Sequence, residues 1–324
     1  MSEPILQVRD LYVEYATAVG PVQAVHGVSL DLYQGEFLAI VGESGCGKST
    51  LLFAIAQLLS YPASTVGGTV LFNGTDITSL SPDELRLHRW RDISVVMQSA
   101  MNALNPTLTI GAQLADACRA HTDWDDKRIA QRSAEVLSMV SIDKVHLHSY
   151  AFQLSGGMRQ RAMIAMALLL EPQLVIMDEP TSALDVVAQR SLMRQVESLR
   201  HELGFSVLFV THDMSVVSHF SDRLAVMYAG EVVELDATRE VFDRPEHPYS
   251  QGLMDAFPSL LGEARQLTGI AGTPPDLIDP PPGCLFAPRC PHVMDICRTT
   301  RPQLVTKGSR AVRCHLVNPP EEVA

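Results

Sequence analysis

The sequence has no long hydrophobic run: its densest apolar stretches, Leu51 to Leu59 and Ala162 to Leu170, reach about half of what a bilayer requires. The opening Met1-Ser2-Glu3-Pro4 carries no basic stretch followed by an apolar one, so no secretory leader is expected. The chain is therefore expected to be neither exported nor membrane-spanning. Positive charge is also scarce. Lys and Arg number 25 against 37 Asp and Glu, a formal net charge of −12, and the basic residues nowhere run together as a phosphate-tracking surface requires. That balance argues against nucleic acid as a partner. Heptads, internal repeats and low-complexity tracts are missing outside one proline-rich stretch. Cysteine is sparse and uneven: Cys46 and Cys118 stand alone, whereas Cys284, Cys290, Cys297 and Cys314 crowd together near the end.

What is present is an enzyme-sized chain of 324 residues, enough for one large or two moderate cores. Up to about residue 240, short apolar β-runs alternate with helical patterns, the grammar of an α/β domain. Phe37 to Val41 reads as a buried strand that leads into a glycine-rich loop and then a helical stretch from Thr50 to Leu59. Two more strand-like runs, Leu174 to Met177 and Val207 to Val210, end in Asp178-Glu179-Pro180 and Thr211-His212-Asp213. Polar residues thus collect at the carboxyl ends of strands, where open α/β sheets keep their ligands. The segment from about 99 to 155, with Ile129 to Val140 inside it, reads as a helical subdomain. Leu224 to Leu235 reads as two strands turning at Ala229-Gly230. Past Asp255, Pro274-Pro275 and Pro280-Pro281-Pro282 predict an extended, poorly packed linker before the cysteine-rich tail.

The loop Gly42-Glu43-Ser44-Gly45-Cys46-Gly47-Lys48-Ser49-Thr50 fits the P-loop pattern in full, and strand, loop and helix follow in the required order. Its glycines let successive backbone N–H groups face phosphate oxygens, and the next helix adds its positive end. Lys48 would reach the β- and γ-phosphates of ATP, and the Ser49 hydroxyl would bind Mg²⁺. Cys46 sits at that helix N-terminus, a position that can depress a thiol pKa and let oxidation inactivate the site, but a passive small residue is the preferred reading. Asp178 after its strand would hold Mg²⁺, while Glu179 would polarise the attacking water. Two adjacent carboxylates with separate tasks imply hydrolysis. His212, after another strand, is placed to touch the γ-phosphate.

Leu154-Ser155-Gly156-Gly157-Met158-Arg159-Gln160-Arg161, just before an apolar helical run, resembles the signature motif of ATP-binding-cassette ATPases. The resemblance extends to Gln98 as the Q-loop residue and Mg²⁺ neighbour, Ser182-Ala183-Leu184-Asp185 as the D-loop and His212 as the switch histidine. It implies a P-loop NTPase cassette core with a β subdomain and a helical subdomain over residues 1–255. It also implies that Ser155, Gly156, Gly157 and Asp185 serve the ATP of a second cassette, so that two ATPases sandwich their nucleotides head to tail. Tyr15 is the candidate to stack on adenine, with Tyr12 as its rival. Ser99 stands where that family more often has an acidic residue.

Arg244-Pro245-Glu246-His247-Pro248-Tyr249 and Gly283-Cys284-Leu285-Phe286-Ala287-Pro288-Arg289-Cys290-Pro291 are similar to the C-terminal extension of the oligopeptide/dipeptide (peptide/nickel) importer ATPases. Residues 256–324 are accordingly expected to form a small cysteine-rich extension. The resemblance implies an importer that takes up di- or oligopeptides, or alternatively oligosaccharides or nickel. It further implies a related ATPase partner, two membrane permeases, an extracytoplasmic substrate-binding protein and a peripheral place on the cytoplasmic face of the inner membrane. A soluble cassette acting on DNA or ribosomes is the non-transport alternative. The tail has no Cys-x2-Cys knuckle, and a reducing compartment disfavours disulfides. Four thiolates on a stiff tail that burial alone would not fold suggest a metal staple. The resemblance points to a [4Fe-4S] cluster on Cys284, Cys290, Cys297 and Cys314, with zinc as the alternative and His292 and His315 as substitute ligands.

Overall fold

The computed structural model describes residues 3–98, 103–182, 184–256 and 269–319. Ser99, Ala183 and the first part of the expected linker lie outside them. The chain divides into two compact units that interleave along the sequence. One comprises residues 1–5, 32–37 and 77–211, and the other residues 6–31, 38–76 and 212–324.

In the second unit the buried strand β3 (Phe37–Val41) lies parallel to β9 (Arg223–Tyr228). β9 turns through Ala229 and Gly230, both at positive φ, into antiparallel β10 (Glu231–Ala237). The expected turn therefore lies where the sequence puts it. A separate sheet in the order β2 (Val22–Tyr33), β1 (Pro4–Tyr15), β4 (Ala63–Phe72), β5 (Thr75–Asp76) supplies the expected β layer. Its alternating burial in β2 is the mark of strands with one face on a core. Helix α1 (Lys48–Ile55) follows β3 directly and is shorter than the Thr50–Leu59 expectation.

The tail differs from expectation. β11 (Val305–Lys307) and β12 (Arg310–Val312) pair with each other, and β12 adds to the edge of β10 through Glu234–Val312 and Leu235–Ala311. Leu285 and Phe286 are buried, and the Phe286 ring packs edge-on against Tyr228 and Tyr249 at 5.2 and 5.5 Å between centroids. The tail thus has an apolar core of its own residues and those of β9. The proline stretch has no helix or strand and no buried proline, as expected, and between its prolines Gln23 N–H donates to Leu277 O at 2.9 Å and Ile278 rests against Gly20. Backbone pairing and aromatic burial supply what the sequence pattern alone did not suggest.

In the first unit β6 (Ile93–Val96), β7 (Leu174–Asp178) and β8 (Ser206–Val210) run parallel in the order β8, β7, β6. β7 and β8 are buried throughout, as parallel strands covered on both faces must be. Helices Ile110–His121 and Asp126–Met139 occupy the expected helical stretch, each started by a side-chain cap, Thr109 to Ala112 N–H and Asp125 to Arg128 N–H. Ser155 caps helix Gly156–Ala167 and Asp185 caps helix Val186–Leu203 in the same manner. Among the described residues no helix is long and apolar enough to cross a membrane.

Candidate functional site: a phosphate cradle and a carboxylate at two strand ends

In the second unit the loop after β3 turns on Gly42, Gly45 and Gly47, at φ of 156°, 79° and 97°. A Cβ at Gly42 would stand 2.1 Å from Met227 O, and one at Gly47 2.1 Å from Ala24 O. Only glycine lets the loop wind this tightly against its neighbours. Lys48, almost wholly buried, donates from Nζ to Gly42 O and Glu43 O, both at 2.9 Å. Its charge is thereby held over the loop's concave side, next to the N-terminus of α1. Ser49 and Thr50 follow Lys48 in the first turn of that helix. Tyr15 is half-buried at the end of β1, and its hydroxyl lies 3.0 Å from Thr50 Oγ1, so the structure sets this ring beside the cradle. Tyr12 instead packs against His26 and covers Gly27 and Gly67. His212 is exposed, just past the end of β8.

Cys46 has the environment of a passive small residue, the reading preferred from the sequence. The thiol is 5% exposed, and burial pushes its pKa up, although Lys48 opposes the shift. Helix N-terminal position therefore does not make it a reactive thiolate. Its backbone carbonyl accepts from Gly230 N–H at 3.0 Å, which ties the loop to the β9–β10 turn.

The second residue of the loop is held in a way that sequence reasoning missed. Glu43 N–H donates to the Tyr249 hydroxyl at 2.9 Å. Its carboxylate receives a two-pronged ion pair from Arg289, Nη1 to Oε2 at 2.8 Å and Nη2 to Oε1 at 2.9 Å. Both partners lie in segments already quoted for their resemblance, so the signal was an Arg and a Tyr with no task assigned.

In the first unit β7 ends in buried Asp178, followed by Glu179 at φ 44°. A non-glycine residue in the left-handed region is strained, and such strain is commonly kept where a side chain must be aimed. Glu179 N–H is anchored on Val210 O at 2.9 Å, and its Oε2 accepts from Gln98 Nε2 at 2.7 Å. The structure thus brings Gln98 and Glu179 together, with Asp178 beside them. Elsewhere in the unit the Ser155 hydroxyl accepts from Met158 N–H at 3.3 Å, and nothing lies within 4 Å of a Cβ built on Gly157. That helix start is open to an anion. Asp185 caps a helix whose first residues, Val186 and Val187, are 66% and 79% exposed.

The four tail cysteines line one narrow cavity of about 10 Å³ together with His247, His292 and His315. Burial pushes the Cys284 thiol up to about 11 and shifts Cys290 and Cys314 in the same direction. Among the described residues, however, no three His, Cys, Asp or Glu side chains form a group that would hold a metal ion. The cavity admits about one water molecule, and these side-chain positions do not support the expected [4Fe-4S] cluster or its zinc alternative. His315 is engaged elsewhere, with Nε2 at 2.9 Å from Thr300 O.

Chemically, the first of these arrangements suits a triphosphate and the second suits an attacking water. Residues 25–182 match the ABC transporter family, and residues 233–297 match the family described as oligopeptide/dipeptide transporter, C-terminal region. The chain belongs to the ATP-binding-cassette transporter ATPases and is an ATP-hydrolysing subunit. It is 46% identical over 318 residues to the dipeptide transport ATP-binding protein DppD of Bacillus subtilis, covering 97% of this chain and 95% of that one. To the oligopeptide transport ATP-binding protein OppD of Salmonella typhimurium it is 41% identical over 312 residues, covering 96% and 93%. Among solved structures, a dimeric, post-hydrolysis ATP-binding cassette bound to ADP and Pi superimposes with a TM-score of 0.65 at 30% identity, over 72% of this chain and 99% of that one.

Proposed function

We propose that this chain powers the uptake of di- or oligopeptides as the ATPase of a membrane importer. The observation that carries the reading is that the resemblance to peptide-transport ATPases runs through the tail as well as the cassette. Oligosaccharide or nickel cargo and a soluble, non-transport role have no comparable support.

In this reading residues 1–255 are the cassette, with a helical subdomain at about 99–155, and residues 256–324 are its extension. Tyr15 stacks on adenine, and the backbone from Gly42 to Thr50 holds the phosphates. Lys48 neutralises the β- and γ-oxygens, and Ser49, Gln98 and Asp178 surround Mg²⁺. Glu179 accepts the proton of the attacking water as it adds to the γ-phosphorus while the bond to the β–γ bridging oxygen breaks, releasing ADP and phosphate, and His212 steadies the γ-phosphate. The Gln98 amide already donates to Glu179, which orients the carboxylate that must take that proton. Ser155, Gly156, Gly157 and Asp185 face the nucleotide of a second, related ATPase. The open Gly157 and the exposed Val186 and Val187 suit such a partner. On the helical stretch Tyr150 and Phe152 stack in parallel at 5.6 Å and stay 38% and 66% exposed, an apolar spot fit for a permease. The subunit would then sit peripherally on the cytoplasmic face of the inner membrane, with a substrate-binding protein on the far side.

The convergence of four thiols on one cavity supports, as the finer reading of the tail, a [4Fe-4S] or zinc staple formed after the side chains rearrange. Iron and zinc determination with visible absorbance on anaerobically purified protein tests it, and a colourless, metal-free sample rejects it. The function itself is tested by tagging the chain and purifying it from membranes. Permeases should accompany it, and ATP turnover of the complex should rise with peptide-loaded binding protein. Recovery with ribosomes or DNA instead would reject the importer.

A further inference from the structure

A carboxylate inside a phosphate cradle is an electrostatic contradiction. Glu43 is the second residue of the loop, its side chain only 28% exposed, and an unneutralised charge there would repel a triphosphate. Arg289 resolves the conflict. Its guanidinium is 4% exposed and meets both oxygens of Glu43. It is itself fixed by four further contacts: Nε to Ala271 O at 2.9 Å, Nη2 to Ile270 O at 3.1 Å, Nη1 to the Tyr228 hydroxyl at 3.3 Å, and the face of the Tyr228 ring at 5.6 Å. The same glutamate is pinned through its N–H by Tyr249, and its carbonyl accepts Lys48 Nζ. Side chain, amide and carbonyl of one loop residue are thus all set, two of them by residues beyond 245. Arg289 ends the short turn Ala287–Arg289, immediately before Cys290 and five residues after Cys284.

We propose that Arg289 is a positioning residue for nucleotide binding: it neutralises and orients Glu43, and so makes the C-terminal extension part of the phosphate site. The inference rests on the ATP-binding reading of the loop. An Arg matched to a carboxylate by a two-pronged pair fixes direction as well as charge, which a lysine does not. The tail would therefore act on ATP through this one side chain without touching the nucleotide.

The experiment is a double-mutant cycle on the full chain, with the ATP dissociation constant measured by titration and folding checked by thermal melting without nucleotide. Arg289→Gln should weaken ATP binding by about tenfold, within the usual range for coupled sites. Glu43→Gln removes the charge that Arg289 neutralises, and its measured affinity is the reference for the cycle. The double variant should bind like Glu43→Gln alone, because Arg289 has nothing left to neutralise. In steady state the loss should fall on KM, with kcat retained. If Arg289→Gln does not fold, Arg289→Lys enters the cycle in its place. A folded Arg289 variant with parental affinity overturns the proposal, as does a double variant whose loss equals the product of the single ones. Failure of the parent chain to bind ATP would instead strike at the functional reading itself.

Discussion

Replacing Gly47 with alanine probes the cradle where its geometry is least forgiving. Gly47 sits at φ 97° and ψ 5°, ahead of α1. An L-residue forced to left-handed backbone costs about 1–2 kcal/mol. The new methyl would also stand 2.1 Å from the backbone carbonyl of Ala24, which no side-chain rotation relieves, so loop or strand must retreat by about 0.9 Å to reach 3.0 Å. Crowding of that kind adds about 1–3 kcal/mol. The whole effect is about 2–5 kcal/mol, which at about 2–4 °C per kcal/mol lowers the melting temperature by roughly 4–20 °C. Because relief comes from moving the loop, ATP affinity should fall by at least about tenfold, since each factor of ten is about 1.4 kcal/mol. Gly45→Ala is the internal control. Its φ is 79°, yet nothing lies within 4 Å of the added Cβ, so it carries the backbone cost alone. Scanning fluorimetry and ATP titration on both variants read the result. A Gly47→Ala protein with parental melting and affinity would refute the packing argument. A destabilised one that still binds ATP normally would refute the cradle.

Tyr15→Ala should weaken ATP binding by about 1–3 kcal/mol if the ring stacks on a base. Tyr15→Phe loses only the contact with Thr50 Oγ1 and should stay within about 1 kcal/mol of the parent; equal losses from the two, read by ATP titration, would move the adenine elsewhere. His247 gives a pH test. Burial lowers its pKa to about 3, against a hydrogen bond with the Arg313 backbone that favours protonation, while its Nδ1 accepts from Tyr249 N–H. The unfolded chain takes up that proton near pH 6.5 and the folded one does not, so stability falls as pH drops from about 6.5 toward 3. Between pH 7 and 5 the loss is about 2 kcal/mol. Glu231 and Glu234, raised by burial, work in the opposite sense. The signature is therefore the difference between the parent and His247→Gln in melting at the two pH values, and no difference would contradict the assignment.

The cassette was largely legible because its information is local. Gly42 to Thr50 declares itself by spacing. Asp178-Glu179 follows a short apolar run that reads as a strand, and the Ala229-Gly230 turn is a two-residue signal. Pairings far apart in sequence were not legible. Nothing within the loop says that Glu43 is neutralised from position 289, or that Tyr249 accepts its amide hydrogen. Burial beside Lys48, which decides the state of the Cys46 thiol, is a tertiary fact. The tail misled for a related reason. Its sequence suggests a segment that burial alone would not fold, but β12 borrows the edge of β10 and Phe286 borrows Tyr228 and Tyr249, partners that composition does not reveal. Its cysteines gather at one cavity, although not in a metal-holding arrangement.

The central claim is that this chain hydrolyses ATP, with Glu179 taking the proton from water. Glu179→Gln keeps the size of the side chain and its contact with Gln98 while removing the basic oxygen. ATP binding and turnover should be measured together on this variant in its assembled complex. The account predicts parental ATP affinity with hydrolysis reduced by about 10²–10⁴-fold, the usual contribution of a positioned general base. Turnover at the parental rate would contradict it.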